Sequence, residues 1–301
     1  MISRRSVISS MILLPAASVM PANLLVKPAV RKTTFRFCLN TSTISGQDPG
    51  LARDIEIASK AGYDGIEIWV RDVRQYLDSG HSLRELKQKL DEAGIIVENA
   101  IGFAPWLAPG EGFIQMEEEM EMLAAIGCKR IAAPPAGLDG NQPLDLFRAG
   151  EKYALLLEMG RRTGVMPQLE FWGASPVLWH LGQVLMVAAV AGDPDARILP
   201  DVYHLFRGGS GFEPLRMISG DLVDVFHMND YPGDKPREEQ VDSDRVFPGD
   251  GDAPFGDIMD SLKAMGGVKI LSLELFNREY WQEDPLEVAR KGLEKMKLLI
   301  R

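Results

Sequence analysis

The eight residues AGYDGIEI, at positions 61–68, join the end of an amphipathic helical stretch to a short apolar run through Gly62. Glycine tolerates the left-handed backbone conformation in which many helices end. The same succession of helical stretch, glycine and apolar run returns at Gly94, Gly127, Gly164, Gly192, Gly220 and Gly266. The intervals of 28–46 residues between these glycines suit one strand–helix unit each.

Eight strands are predicted from this pattern, because an opening apolar run at Phe35–Leu39 precedes the seven units. The last helix is predicted over residues 285–299. Strands that alternate with helices form a parallel sheet, and eight of them favour a closed barrel over an open doubly wound sheet. The glycine fingerprint of a dinucleotide-binding fold is missing after the first strand. We therefore predict an α/β fold, a single (β/α)₈ TIM barrel, over residues 32–301.

The first 31 residues differ from the rest of the chain. Arg4 and Arg5 precede an apolar, uncharged run to Leu14, and small residues follow at 16–18 and 22. These are the parts of an export signal, and the paired arginines resemble a twin-arginine signal. The apolar run is too short to span a bilayer comfortably. We predict that residues 1–31 are an export signal and leader, that the protein is periplasmic, and that the mature chain has no membrane span.

The charge balance limits the partners. The chain carries 33 Lys and Arg against 43 Asp and Glu, a formal net charge of −10. Nucleic acids bind to clustered basic faces, and anionic lipid headgroups gain nothing from an acidic surface. A small neutral or metal-bridged substrate is therefore expected, and no nucleic acid. The two cysteines, Cys38 and Cys128, lie in apolar strand-like runs and are expected to be buried thiols.

Four consecutive predicted strands end in residues that can bind a metal ion. They are Glu170, Asp201, His227 and Glu274, and the C-terminal ends of the strands form the active site in barrels of this kind. Taken alone, each could be a structural residue in an ion pair or hydrogen bond. Together, three carboxylates among apolar neighbours would repel one another unless a cation lay between them. We predict a divalent metal ion, and Mn²⁺, Mg²⁺, Co²⁺, Fe²⁺ and Zn²⁺ are all compatible.

A longer series of residues extends this pattern along the chain. In order, it reads Glu170, Asp201-x-x-His204, His227, Arg245-x-x-Pro248-Gly249-x-Gly251 and Glu274. This order, together with LNTST at 39–43 and GYDGIE at 62–67, resembles the xylose isomerase-like TIM-barrel family of sugar isomerases and epimerases. The resemblance covers essentially all of residues 33–300. Segments 244–249 and 274–280 are most similar to the inosose isomerase branch of that family.

The resemblance implies a role for each residue. The four strand-end residues would hold one metal ion, since the Lys and Asp ligands of the larger two-metal xylose isomerases are not visible. Glu170 and Glu274 would also be the catalytic groups, on opposite sides of the substrate carbon. His204 and Arg245 would bind substrate hydroxyls or the developing oxyanion. Without the resemblance, His204 could equally be a plain loop histidine and Arg245 a member of a loop salt bridge.

Two tryptophans have alternative interpretations, and one proline has an unusual position. Trp106 and Trp172 could form an apolar wall for a sugar ring, or they could pack in the core or at the rim. Pro200, directly before Asp201, is unusual in a parallel strand because it removes a ladder donor, and a bulge there would alter the direction of the Asp201 side chain.

The implied reaction is proton transfer beside the carbonyl of a keto-sugar or keto-polyol. A cation acidifies the C–H bond and stabilises the enediolate, while carboxylates remove and return the proton. Return to the neighbouring carbon isomerises, and return to the opposite face epimerises. Three alternatives stay open. One is a lyase or dehydratase, such as 1,2-elimination on a 3-keto-glycoside, and another is a non-catalytic sugar-binding barrel. The third is an abasic-site endonuclease, whose trinuclear zinc site needs more histidines than the four present.

Overall fold

The computed structural model describes residues 32–300 except positions 109, 139 and 142. The predicted export signal at residues 1–31 lies outside the described residues. Eight parallel strands form one sheet in the order β6-β5-β4-β3-β2-β1-β8-β7. Their bounds are β1 Thr33–Asn40, β2 Gly65–Trp69, β3 Ile96–Ile101, β4 Arg130–Ala133, β5 Met166–Glu170, β6 Ile198–Leu199, β7 Val225–Met228 and β8 Gly267–Leu273.

The sheet closes on itself between its two edge strands, β6 and β7. Isolated parallel bridges pair Ile198 with Val223 and Asp201 with His227. The His227 N–H donates to the Pro200 carbonyl oxygen at 2.9 Å. β6 ends immediately before Pro200, and proline has no N–H to offer a ladder. The backbone of Asp201 stays extended. The predicted (β/α)₈ barrel is therefore confirmed.

Helices surround the barrel. In the described part of the chain they are α1 Leu51–Ala61, α2 Val70–Asp78, α3 Leu83–Ala93, α4 Gly112–Ala125, α5 Leu146–Thr163, α6 Leu181–Ala191, α7 Val202–Arg207, α8 Phe255–Met265 and α9 Pro285–Leu299. Four of them, α1, α3, α5 and α6, end as predicted at a glycine with left-handed backbone angles. The last helix has the predicted bounds. None of the helices in the described residues is long and apolar enough to cross a membrane.

Two connections differ from the predicted single helix in each unit. Between β2 and β3 the chain forms both α2 and α3, and α3 starts at a capping box between Ser82 and Glu85. Between β6 and β7 the helix α7 has only six residues. Gly220 begins the 3₁₀ turn Gly220–Leu222 instead of ending a helix. A Cβ atom at Gly220 would overlap the Met265 carbonyl oxygen, so close backbone approach explains this glycine.

Two apolar layers stabilise the barrel. The larger one lies between strands and helices, and Phe37 and Leu39 of β1 belong to it. Cys38, which alternates with them, faces the smaller layer together with Trp69 and Ile101. Alternation along each strand thus separates the outer core from the interior. Cys38 and Cys128 are buried free thiols, as predicted.

Candidate active site

Three of the predicted metal-binding residues lie together at the C-terminal rim of the barrel. Asp201, His227 and Glu274 each offer one ligand atom, and these atoms all lie within 4.8 Å of one another. His227 Nδ1 is 3.2 Å from Glu274 Oε2 and 3.6 Å from Asp201 Oδ2. All three side chains are buried. Because the residues follow or belong to β6, β7 and β8, the closure of the barrel is what brings them together.

Glu170, the fourth predicted ligand, ends β5 and lines a cavity at this rim together with Glu274, but it is not part of the 4.8 Å group. Its Oε2 atom is buried and has no hydrogen-bond partner among the described residues. Burial raises the pKa of Glu170 to about 8; His227 opposes this rise, and the charge of Glu274 adds to it. A carboxylate in this position is available to a cation or to a substrate.

The orientation of the His227 ring follows from its buried neighbour Glu67. His227 Nε2 lies 3.0 Å from Glu67 Oε1, and an ionised carboxylate can only accept, so Nε2–H is the donor. Nδ1 therefore faces Asp201 and Glu274. Burial alone would lower the pKa of His227, but the carboxylates of Glu274 and Glu67 raise it well above its usual range. Metal binding at Nδ1 would therefore release a proton.

Glu67 is a site residue that the sequence pattern did not single out. Its carboxylate also accepts hydrogen bonds from Asn40 Nδ2 at 2.8 Å, Asn99 Nδ2 at 2.6 Å and Ser272 Oγ at 2.6 Å. Four donors thus surround one buried anion beneath the rim. The available signal was an acidic residue in the apolar run GIEIW, on a strand that is separated from β8 by β1.

Asp201 is held on both oxygens. Oδ1 accepts from the His204 N–H at 2.8 Å, which caps the start of α7, and Oδ2 accepts from Asn229 Nδ2 at 2.8 Å. Asn229 Oδ1 in turn accepts from the Tyr203 N–H at 2.8 Å. Although burial opposes it, the Arg245 guanidinium holds the pKa of Asp201 below its usual range. Asp201 is therefore an ionised, fixed acceptor that directs Oδ2 towards His227.

Arg245 is buried in the site and is not a loop surface residue. Its Nη1 donates to Asp201 Oδ2 at 3.1 Å and to Glu274 Oε2 at 2.8 Å. The guanidinium lies over the Tyr203 ring at 4.5 Å and the Phe276 ring at 5.0 Å. The arginine thus places a fixed positive charge beside two carboxylates, and its position suits an anionic or hydroxyl oxygen of a ligand.

His204 lines the same cavity. The Gly173 N–H donates to His204 Nδ1 at 3.2 Å. Nε2 lies 3.2 Å from Arg245 Nη2. Burial lowers the pKa of His204 to about 4, so the ring is neutral near neutral pH. His204 is therefore a neutral hydrogen-bonding group beside the arginine.

The two predicted tryptophans lie in different places. Trp172 lines the cavity, directly after the end of β5. Trp106 is fully buried, donates from Nε1 to the Pro134 carbonyl oxygen at 2.7 Å, and packs against Tyr153 in the outer core. The interpretation of Trp106 as a wall of the substrate site was wrong, because its indole is enclosed by the chain; the core-packing alternative describes it.

The residues present fit a divalent cation. Two carboxylates and one imidazole form the close group, and a third carboxylate lies beside it. Within the described part of the chain, Glu170 Oε2 and His227 Nδ1 are buried atoms that form no well-directed hydrogen bond, although Nδ1 lies at ion-pair distance from Glu274 Oε2. Such orphaned atoms are costly unless a ligand satisfies them. Mixed oxygen and nitrogen donors suit all the metals predicted above.

An eight-stranded parallel barrel with such a metal site at its C-terminal rim defines a metal-dependent TIM-barrel enzyme. Residues 55–299 match the sequence model of the family described as Xylose isomerase-like TIM barrel. The chain therefore belongs to this family, and the predicted resemblance is confirmed.

Individual relatives cover nearly the whole barrel. The inosose isomerase of Bacillus velezensis is 26% identical over 272 residues, which are 86% of this chain and 96% of the relative. The 3-dehydroshikimate dehydratase of Pseudomonas putida is 24% identical over 85% of this chain and 40% of that longer protein. A solved structure of the IolI protein with a bound zinc atom superposes with a TM-score of 0.80 at 23% identity, covering 88% of this chain and 98% of the other.

Proposed function

We propose that this protein is a divalent-metal-dependent isomerase or epimerase of a keto-sugar or inosose. The observation that carries the proposal is the buried group of Asp201, His227 and Glu274, together with Glu170, which lines the same cavity as Glu274 and whose Oε2 has no hydrogen-bond partner in the described residues. Similarity to an inosose isomerase supports this class of reaction.

Asp201, His227, Glu274 and Glu170 would hold the metal, which when bound would polarise a carbonyl and its adjacent hydroxyl and so acidify the C–H bond between them. The zinc in the IolI structure supports a divalent ion, and the donor types leave Mn²⁺, Mg²⁺, Co²⁺, Fe²⁺ and Zn²⁺ as candidates. Metal analysis of the purified protein distinguishes them.

The two proposed catalytic carboxylates differ in how firmly they are held. Glu274 is fixed, because Oε1 accepts from Asn40 Nδ2 at 3.0 Å and Oε2 accepts from Arg245 Nη1. Glu170 Oε2 has no such partner in the described residues and is the freer carboxylate. We assign proton removal or return to both, with Glu170 as the more mobile group. Arg245 and the neutral His204 would stabilise the oxyanion of the enediolate.

Proton exchange tests the proposal. The protein with Mn²⁺ is incubated in D₂O with inososes, ketohexoses and 3-keto-glucosides, and deuterium incorporation is followed by NMR. We expect deuterium beside the carbonyl of at least one substrate, and its loss in Glu170→Gln and Glu274→Gln. Metal-loaded protein that exchanges no proton across the panel would favour a sugar-binding barrel.

Elimination is the second candidate, because the chain is also similar to a dehydratase. The same removal of a proton beside a carbonyl leads to loss of a β-substituent when one is present. Release of water or an alcohol from the exchanging substrate would identify a lyase. Return of the proton without such release would identify an isomerase or epimerase.

The periplasmic location is a proposal that rests on Arg4, Arg5 and the apolar run to Leu14. Replacement of both arginines by lysine is expected to retain the protein in the cytoplasm. Fractionation of cells that express each form measures this. Equal export of the two forms would contradict twin-arginine transport.

A further inference from the structure

The cavity above the metal-binding residues has two chemically different halves. One half presents the polar residues Glu170, His204, Arg245 and Glu274. The other half is an arc of four aromatic side chains at strand ends: Phe276, Trp69, Phe103 and Trp172. Successive ring centroids along this aromatic arc are 6.1 Å, 5.5 Å and 5.8 Å apart. The rings are therefore in continuous contact from β8 across β2 and β3 to β5.

The aromatic arc is anchored at one end and open at the other. Trp69 is 7% exposed, and its Nε1 donates to Asn40 Oδ1 at 3.0 Å. Phe103 is 44% exposed, although it lines the same cavity. Ile101, Pro135 and Leu138 extend the apolar lining around it. An exposed apolar surface that is continuous with a catalytic cavity is a place for a ligand.

The size of the cavity exceeds the needs of one polyhydroxylated ring. Its volume is about 550 Å³, within the range of pockets that enclose drug-sized ligands. A sugar ring can place one C–H face on a single ring such as Trp172, but along the rest of the aromatic arc its hydroxyl groups would lose water without gaining hydrogen-bond partners, which is costly. An apolar ring would instead gain burial and ring contacts. A keto-sugar ring among the charged residues leaves the arc to a different chemical group.

We propose that the aromatic arc is a subsite for an apolar ring that the substrate carries as a substituent on its keto-sugar ring. The inference rests on the proposed function and narrows its substrate class from free keto-polyols to keto-sugars with an aryl or similar apolar substituent. Phe103 is the residue that determines this specificity, since its ring is the most exposed part of the arc.

A matched pair of substrates tests the subsite. Methyl and phenyl 3-keto-β-glucoside differ only in the substituent, and kcat/KM is measured for each, by deuterium exchange if no product forms. We expect the phenyl compound to be favoured about tenfold or more, in line with burial of an aromatic ring. Phe103→Ala should bring the phenyl-to-methyl ratio close to one. Phe147→Ala, at an exposed phenylalanine on α5 that does not line this cavity, is the control and should keep the wild-type ratio.

Two outcomes would overturn the subsite. The first is an equal preference for both substrates in the wild type. The second is an equal loss for both substrates in Phe103→Ala, because the aromatic arc would then hold the sugar ring itself. If no compound exchanges protons, the proposed function fails, and calorimetric binding of phenyl and methyl β-glucoside still decides the subsite. Tighter binding of the phenyl compound, abolished in Phe103→Ala, supports it, and equal binding refutes it.

Discussion

Replacing Glu67 by glutamine should weaken metal binding although Glu67 is not itself a proposed metal ligand. The carboxylate accepts from Asn99 and His227 on Oε1, and from Asn40 and Ser272 on Oε2. A glutamine keeps one acceptor oxygen and turns the other position into a donor. Two of the four donors then lose their acceptor, whichever way the amide is placed.

The expected loss follows from the role of Glu67 in orienting His227. Removal of a hydrogen-bond partner behind a ligating imidazole costs about 10–100-fold in metal affinity. This corresponds to about 1.4–2.7 kcal/mol of binding free energy. Each buried donor left unpaired should also lower the free energy of unfolding by about 1–3 kcal/mol. Zn²⁺ titration of metal-free protein against a competing chelator measures the first effect, and urea unfolding measures the second.

Glu98→Gln separates general destabilisation from the effect on the metal. Glu98 is an equally buried acid on β3, but its partners are Arg36 at 3.1 Å and Arg130 at 3.2 Å, and it does not line the cavity of the active site. We expect it to lower stability and leave the Kd for Zn²⁺ unchanged. The reasoning is refuted if Glu67→Gln binds Zn²⁺ as tightly as the wild type, or if both variants lose affinity equally.

Three predictions concern stability. Burial raises the pKa of Asp54 from 3.8 to about 8, so the unfolded chain ionises first. The free energy of unfolding should therefore decrease as the pH rises from about 4 to about 8, by at most about 1.4 kcal/mol per pH unit. Asp54→Asn should make this dependence less steep in urea titrations, and the same slope in both proteins would contradict the prediction. Gly292→Ala places a Cβ atom against the Leu273 side chain, so it should cost about 1–3 kcal/mol, and an unchanged urea midpoint would disprove the clash. Trp106→Phe should lower the free energy of unfolding by about 1–3 kcal/mol through loss of a buried hydrogen bond, whereas Trp172→Phe should not; equal effects would count against the different placements of the two rings.

The barrel was predictable because the glycines that end its helices act through local backbone conformation. A glycine such as Gly62 or Gly164 ends a helix through its own backbone angles, whatever the rest of the chain does. The exceptions show the limit of this argument. Gly220 is required by the approach of the Met265 backbone, 45 positions away in the sequence, and no local pattern distinguishes it from a helix end.

The candidate site was predictable only where strand ends carry the chemistry. Asp201, His227 and Glu274 could be recognised because each follows or ends an apolar run. Glu67 acts through a contact with His227, 160 positions away, which only the closed barrel creates. Trp106 and Trp172 both precede small or apolar residues and look alike in sequence. What separates them is burial, which depends on the packing of Trp106 against Tyr153 of α5.

Metal binding would also affect the place where the barrel closes, between β6 and β7. These strands are the first and last in the order of the sheet, and isolated bridges connect them, one of which joins Asp201 to His227. An ion bound by these two residues would fasten one edge to the other. Metal binding would therefore stabilise the closed barrel against unfolding as well as supporting the reaction, because the unfolded chain has no such site.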